Sequence, residues 1–226
     1  MQRFHRSIAR VASLAAMLGC SAALAASADF VDLRRIAPLA GDANAGKAKA
    51  AVCSACHGAS GIAPTSMFPN LAGQHAEYLY LQLAEFKREA RPESPMTSQV
   101  ANLDDAALRD LAAYFASLPP PASQQATASG RGALLYREGD PATGTPPCQG
   151  CHGADGNGHP WAESDAAYRA YPRLRGQHAD YVAQRLKDFR DGKHLSSSTD
   201  RIMTPVARTL DEDAIKAVAT WIETAP

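Results

Sequence analysis

The sequence predicts an all-α protein of two tandem, homologous domains joined by a Pro-rich linker. Three observations carry this. Apolar residues recur at helical spacing, as Tyr78, Leu79, Leu83 and Phe86 in one segment and Leu103, Ala107, Leu108, Leu111 and Phe115 in another. The second half repeats the first: "NLAGQHAEYLYLQLAEF" (70–86) aligns with "RLRGQHADYVAQRLKDF" (173–189), and "MTSQVANLDDAALRDLAAYF" (96–115) with "MTPVARTLDEDAIKAVATWI" (203–222). Between the copies lies "LPPPASQQATAS" (118–129), three prolines followed by small polar residues, a stiff and then flexible connection.

The N-terminus reads as an export signal over 1–25. Arg3, Arg6 and Arg10 precede an uncharged run from Val11 to Ala26, and Ala23-Leu24-Ala25 suits cleavage before Ala26. The run is short for a membrane span of roughly 20 residues, yet an uncleaved anchor stays open. So does lipidation at Cys20, where Met17-Leu18-Gly19 faintly resembles a lipoprotein box. Removing the signal takes three of the 23 basic residues and none of the 23 acids, leaving 20 against 23 and a net charge of −3. No basic run or basic–aromatic stripe appears, so no nucleic-acid partner is expected. The predicted location is the periplasm, with membrane association left open.

After a segment at 26–39, the first domain is expected over 40–118, the linker over 119–127 and the second domain over 128–226. Each domain has the same order: a short helical segment carrying Gly46 or Gly132, a Cys-x-x-Cys-His cluster, Pro-x-Leu-x-Gly-Gln, a helix, a methionine, and a final helix. Asp104 or Asp105, and Asp211, suit the N-terminal turn of that last helix. The second domain is longer around its cluster, including "GHPWAESDAAYRAY" (158–171).

The clusters carry the chemistry. Export would leave four cysteines, Cys53, Cys56, Cys148 and Cys151, all of them within the two clusters. Structural zinc needs two such pairs close together, and here the pairs are 95 residues apart in separate repeats. A redox dithiol belongs at the strand-to-helix turn of a βαβ unit, and no strand pattern is visible. A disulfide across two residues would leave the histidine unexplained. Covalent attachment of haem accounts for all three residues: the thiols add to the vinyl groups and the next imidazole, His57 or His152, meets the iron. Aromatics make up only 7% of the chain while hydrophobic residues reach 46%, a composition that fits apolar bulk supplied by a cofactor.

A sixth iron ligand must recur in both halves. Met96 and Met203 do, each 7 residues before the leucine that opens the last helix (Leu103, Leu210) and each expected in a loop beside Thr97 or Thr204. His75 and His178 also recur, but read as surface or first-turn helix positions. Met67 has no counterpart and is set aside.

These residues, "CSACHGASG…PNLAGQHAEYL…M…LDDAALRDLAAYFASL" and its second copy, resemble the two-domain dihaem cytochromes c, above all the cytochrome c4 family. The resemblance implies two tandem class I cytochrome c domains whose terminal helices cross where Gly46 or Gly132 meets Tyr114 or Trp221. It implies two covalently bound haem c groups, with His57, Met96, His152 and Met203 as axial ligands. It implies Pro69 and Pro172 carbonyls that accept from the proximal imidazoles, and haems that face each other with propionates meeting at the domain interface. The implied role is an electron carrier rather than an enzyme, between a quinol–cytochrome c reductase and a haem–copper oxidase. The alternatives are the cytochrome subunit of a dehydrogenase complex, such as a flavocytochrome sulfide dehydrogenase, or a dihaem peroxidase or thiosulfate-oxidising enzyme. The long second-domain loop departs from the tightest family pattern and raises the question of whether His159 or Trp161 touches the second haem.

Overall fold

The computed structural model describes residues 30–33, 36–91, 94–122 and 129–226. The proposed signal, with Cys20, lies outside them. Among the described residues the structure is helical, with two isolated β-bridges and no strand. No described helix is long and apolar enough to cross a membrane.

The first domain comprises α1 (Ala43–Lys49), α2 (Ala51–His57), α3 (Ala76–Lys87), α4 (Pro95–Val100) and α5 (Asp105–Ser117). The second repeats them as α6 (Arg131–Glu138), α7 (Gln149–His152), α8 (Ala179–Arg190), α9 (Ser198–Arg208) and α10 (Glu212–Thr224). The last helix of each domain begins two residues after the leucine that was expected to open it. Asp104 accepts from the Ala107 amide at 2.8 Å and Asp211 from Ala214 at 2.6 Å, so the aspartates are the caps. Leu103 and Leu210 sit just outside. Leu210 packs with Ile215, a hydrophobic staple over the cap.

In each domain the first and last helices cross, α1 on α5 and α6 on α10. The crossing needs glycine. A Cβ on Gly46 would stand 2.0 Å from the Asp110 carbonyl oxygen and 2.8 Å from the Tyr114 Cβ. One on Gly132 would stand 2.1 Å from the Ala217 oxygen and 2.8 Å from the Trp221 Cβ. Around these crossings lie Ala50, Leu79, Leu111, Ala112 and Phe115 in one domain, and Ala133, Tyr136, Val182, Val218, Trp221 and Ile222 in the other.

The insertions in the second domain take definite form. Between α6 and α7 the chain makes a turn closed by paired amide bonds of 2.9 Å between Asp140 and Thr145. Beyond α7 it forms two 3₁₀ turns, Pro160–Glu163 and Ala166–Ala170.

The two domains meet closely. Arg169 reaches the buried Glu77 at 3.1 Å, and Ser196 donates to Glu85 at 2.9 Å. The segment before the first domain binds the second: the Val31 amide donates to the Ser196 carbonyl at 2.8 Å, and Ser198 donates back at 3.0 Å. Pro120 and Pro121, at the start of the linker, lie against Gly73 and Gly176.

Candidate haem sites

α2 and α7 each end on the histidine of the cluster, terminated by Gly58 (φ 76°) and Gly153 (φ 83°), a conformation open to glycine. Helical spacing puts Cys53 and Cys56 one turn apart, and Cys148 and Cys151 likewise. All four are free and half-buried. Burial raises the Cys53 and Cys151 thiols and pushes Cys148 up to about 11, the reverse of the electropositive setting that makes a redox-reactive thiolate.

His57 and His152 are buried, 4% and 5% exposed. The Nδ1 of His57 lies 2.9 Å from the Pro69 carbonyl oxygen, and that of His152 lies 2.9 Å from the Pro172 oxygen. A carbonyl only accepts, so Nδ1 carries the proton in both rings and Nε2 keeps its lone pair. Burial lowers both imidazole pKa values, against the opposing pull of these hydrogen bonds. A neutral ring held by its far nitrogen is what an iron ligand requires.

Both methionines are half-buried, and both lie in helices rather than loops. Ser94 caps α4 by accepting from the Met96 amide at 3.2 Å, with Pro95 at the first helical position. Ser197 and Asp200 form a reciprocal capping box that starts α9 well before Met203. The caps draw the methionines into helical turns that pack on α3 and α8. Met67 is 79% exposed. His75 and His178 stand at the N-caps of α3 and α8, but not on the surface. His75 is 8% exposed, and His178 bonds Ala63 of the other domain through Nε2 at 3.2 Å and Glu223 through Nδ1 at 3.3 Å. In the second-domain insertion His159 stacks on Tyr168 at 4.0 Å, while Trp161 is 62% exposed.

The sequence reading passed over a cluster of buried polar groups between α3 and α8. Tyr78 is half-buried, and its hydroxyl pKa is raised by desolvation and by Tyr181 from the other domain. Arg91 is 8% exposed and donates to Gln82 at 2.6 Å, but its Nε is buried without a partner. Burial and the nearby Arg91 charge lower the Arg185 pKa. Arg185 also touches His194. An orphaned guanidinium nitrogen beside tyrosine hydroxyls fits the two carboxylates that a haem carries. The signal for it was Tyr78 recurring as Tyr181.

Twin helical domains, each closing on a Cys-x-x-Cys-His turn with a buried, carbonyl-held histidine, define the class of c-type cytochromes. The cytochrome c family model matches residues 43–119 and 131–226. The chain is 42% identical to cytochrome c4 of Azotobacter vinelandii over 200 residues, 83% of this chain and 91% of that protein. It is 33% identical to a thiosulfate dehydrogenase electron acceptor of Thiomonas intermedia, over 79% of this chain and 80% of that one. The reduced recombinant cytochrome c4 from Pseudomonas stutzeri superimposes with a TM-score of 0.72 at 38% identity, covering 83% of this chain and all of that one. The chain belongs to the dihaem cytochrome c4 family. It is an electron-transfer protein rather than an enzyme, with two covalently bound haem c groups.

Proposed function

We propose that the protein is a periplasmic electron shuttle, taking electrons from a quinol–cytochrome c reductase and delivering them to a haem–copper terminal oxidase. The carrying observation is that both domains repeat the same parts: a buried histidine on a proline carbonyl, a thiol pair within the preceding turn, and a half-buried methionine on a helix that packs on α3 or α8. Cys53, Cys56, Cys148 and Cys151 tether the cofactors. His57 and Met96 ligate one iron, and His152 and Met203 the other. Haem held by these residues would supply one-electron chemistry, and a thioether ligand would favour its ferrous form. Pro69 and Pro172 fix the imidazole planes, Arg91 and Arg185 receive propionate charge, and the Leu and aromatic side chains keep water away. A histidine and a methionine on each iron would leave oxygen and peroxide no ligand position.

Redox-titrated spectroscopy of Met96→Ala and Met203→Ala tests the ligands. Each variant is expected to lose half of the far-red methionine-to-ferric-iron band. Retention of the full band in either one rejects that methionine. Turnover with quinol–cytochrome c reductase and terminal oxidase preparations tests the route. The identity to a thiosulfate dehydrogenase electron acceptor supports a second reading, in which a dehydrogenase is the donor. Rapid reduction by such an enzyme, with none by the quinol–cytochrome c reductase, would favour it.

A further inference from the structure

The Gly-Gln pair that recurs in the two halves has no part in the sites as described so far. Its place in the structure is at their backs, in the opposite domain. Gln177 of the second domain accepts from the Asn70 amide at 2.9 Å and donates to the Asn70 carbonyl at 2.9 Å. Gln74 of the first domain does the same to Arg173, accepting from its amide at 2.8 Å and donating to its carbonyl at 2.8 Å. Both glutamines are buried, at 8% and 7% exposure.

The Asn70 N–H and the Pro69 C=O belong to one peptide group, and that C=O holds His57 at 2.9 Å. The Arg173 N–H and the Pro172 C=O belong to another, which holds His152. A single conjugated amide therefore stands between each glutamine and the iron-ligating ring of the other domain. Hydrogen bonds in such a chain polarise one another: an acceptor on the N–H enriches the carbonyl oxygen. A stronger acceptor on Nδ1–H makes the imidazole a more basic ligand, and a more basic ligand favours ferric iron.

The geometry points to Gln177 and Gln74 as crossed positioning residues, Gln177 setting the potential of the first-domain haem and Gln74 that of the second. The inference rests on His57 and His152 being the iron ligands. It makes the domain interface part of each redox centre, so that separating the domains would shift both potentials upward.

The test uses the full dihaem protein with Gln177→Met and Gln74→Met, which keep the side-chain length and lose the acceptor. Each potential is followed by redox titration with NMR of the haem methyl and His ring N–H resonances, which separate the two haems. In Gln177→Met the ferrous-to-ferric ratio of the first haem at fixed potential should rise about threefold, roughly 30 mV from 59 mV per tenfold. The His57 ring N–H should move with it, and the second haem should stay in place. Gln74→Met should give the mirror result. Gln177→Glu, which keeps an oxygen facing the Asn70 amide, should move the first haem the other way. Equal shifts at both haems, a shift in the variant's own domain, or none at all would overturn the proposal. A low-spin spectrum with both methionine bands checks that the ligands themselves are intact, so failure of the ligand reading would be seen separately. If the methionine variants do not fold, the glutamate variant alone decides by the sign and site of its shift.

Discussion

The two domains hold the same histidine in the same way but reach it differently. In the first, α2 follows α1 with only Ala50 between them, so the helix that crosses α5 also carries the cysteines into place. In the second, the Asp140–Thr145 turn interrupts that continuity. A side chain restores it. Tyr136, fully buried on α6, donates its hydroxyl to the carbonyl of Gly153, directly after His152, at 2.7 Å. Its ring lies 4.3 Å from that of Trp221, filling the space where the first domain has the small Ala50 beside Tyr114 and Phe115. A haem-binding turn can therefore be positioned by chain connectivity or by a buried phenol, and an insertion is tolerated where the second replaces the first.

The largest effect that bears on this comparison is expected from Cys148→Ala with Cys151→Ala. Haem content by pyridine haemochrome assay should fall by half, with the first domain retaining its spectrum. Loss of both haems would mean that the domains cannot be loaded independently.

Gly46→Ala and Gly132→Ala should then be equally damaging, since each Cβ meets a backbone carbonyl that cannot move aside. A cost of about 3 kcal/mol in denaturant unfolding is expected for each. A much milder Gly132→Ala would show that the second-domain crossing has slack.

Tyr136→Phe separates the domains instead. It leaves the Gly153 carbonyl without this donor, and should cost about 1–2 kcal/mol. The change should appear at the second haem alone in thermal melts followed by its absorbance.

The smallest effect concerns pH. Glu85, 1% exposed, has its pKa raised from 4.5 to about 7, by burial first and then by Asp200, with Ser196, Arg91 and Arg88 opposing. The folded chain binds this proton more tightly than the unfolded one. The contribution of this one group is thus fully present below about 4.5 and is lost as pH rises through about 7. Glu85→Gln should flatten that decline and gain about 1 kcal/mol at pH 8. An unchanged pH profile would place the titration elsewhere.

Much of this was legible in the sequence. The repeat showed the helical order, the cysteine spacing showed the tethers, and Asp104 and Asp211 announced their helices. The family resemblance, not the spacing, pointed to Pro69 and Pro172. The helical setting of Met96 and Met203 was hidden because α4 is a single short helix of 6 residues opening on Pro95, and α9 carries Pro205 in its interior, a residue that reads as a helix breaker. Arg91 and Arg185 were hidden because a buried cation and a solvated one look alike in sequence. Val31 was hidden because it binds the second domain through backbone atoms, which leave no side-chain signature. Gln74 and Gln177 were visible as a repeated pair. Their targets, a hundred residues away, depend on how the domains are docked.

That docking has a further consequence. When a residue of one unit grips a position on the other, and its counterpart on the other grips the matching position on the first, the contact is isologous, the form taken by symmetric dimers. The glutamine exchange has this form within one chain. Two separate copies of such a domain could make both grips without any linker. The connection through Pro120 and Pro121 then has only to keep the halves at high effective concentration, and the geometry that joins the two redox centres is a property of the domain surface itself.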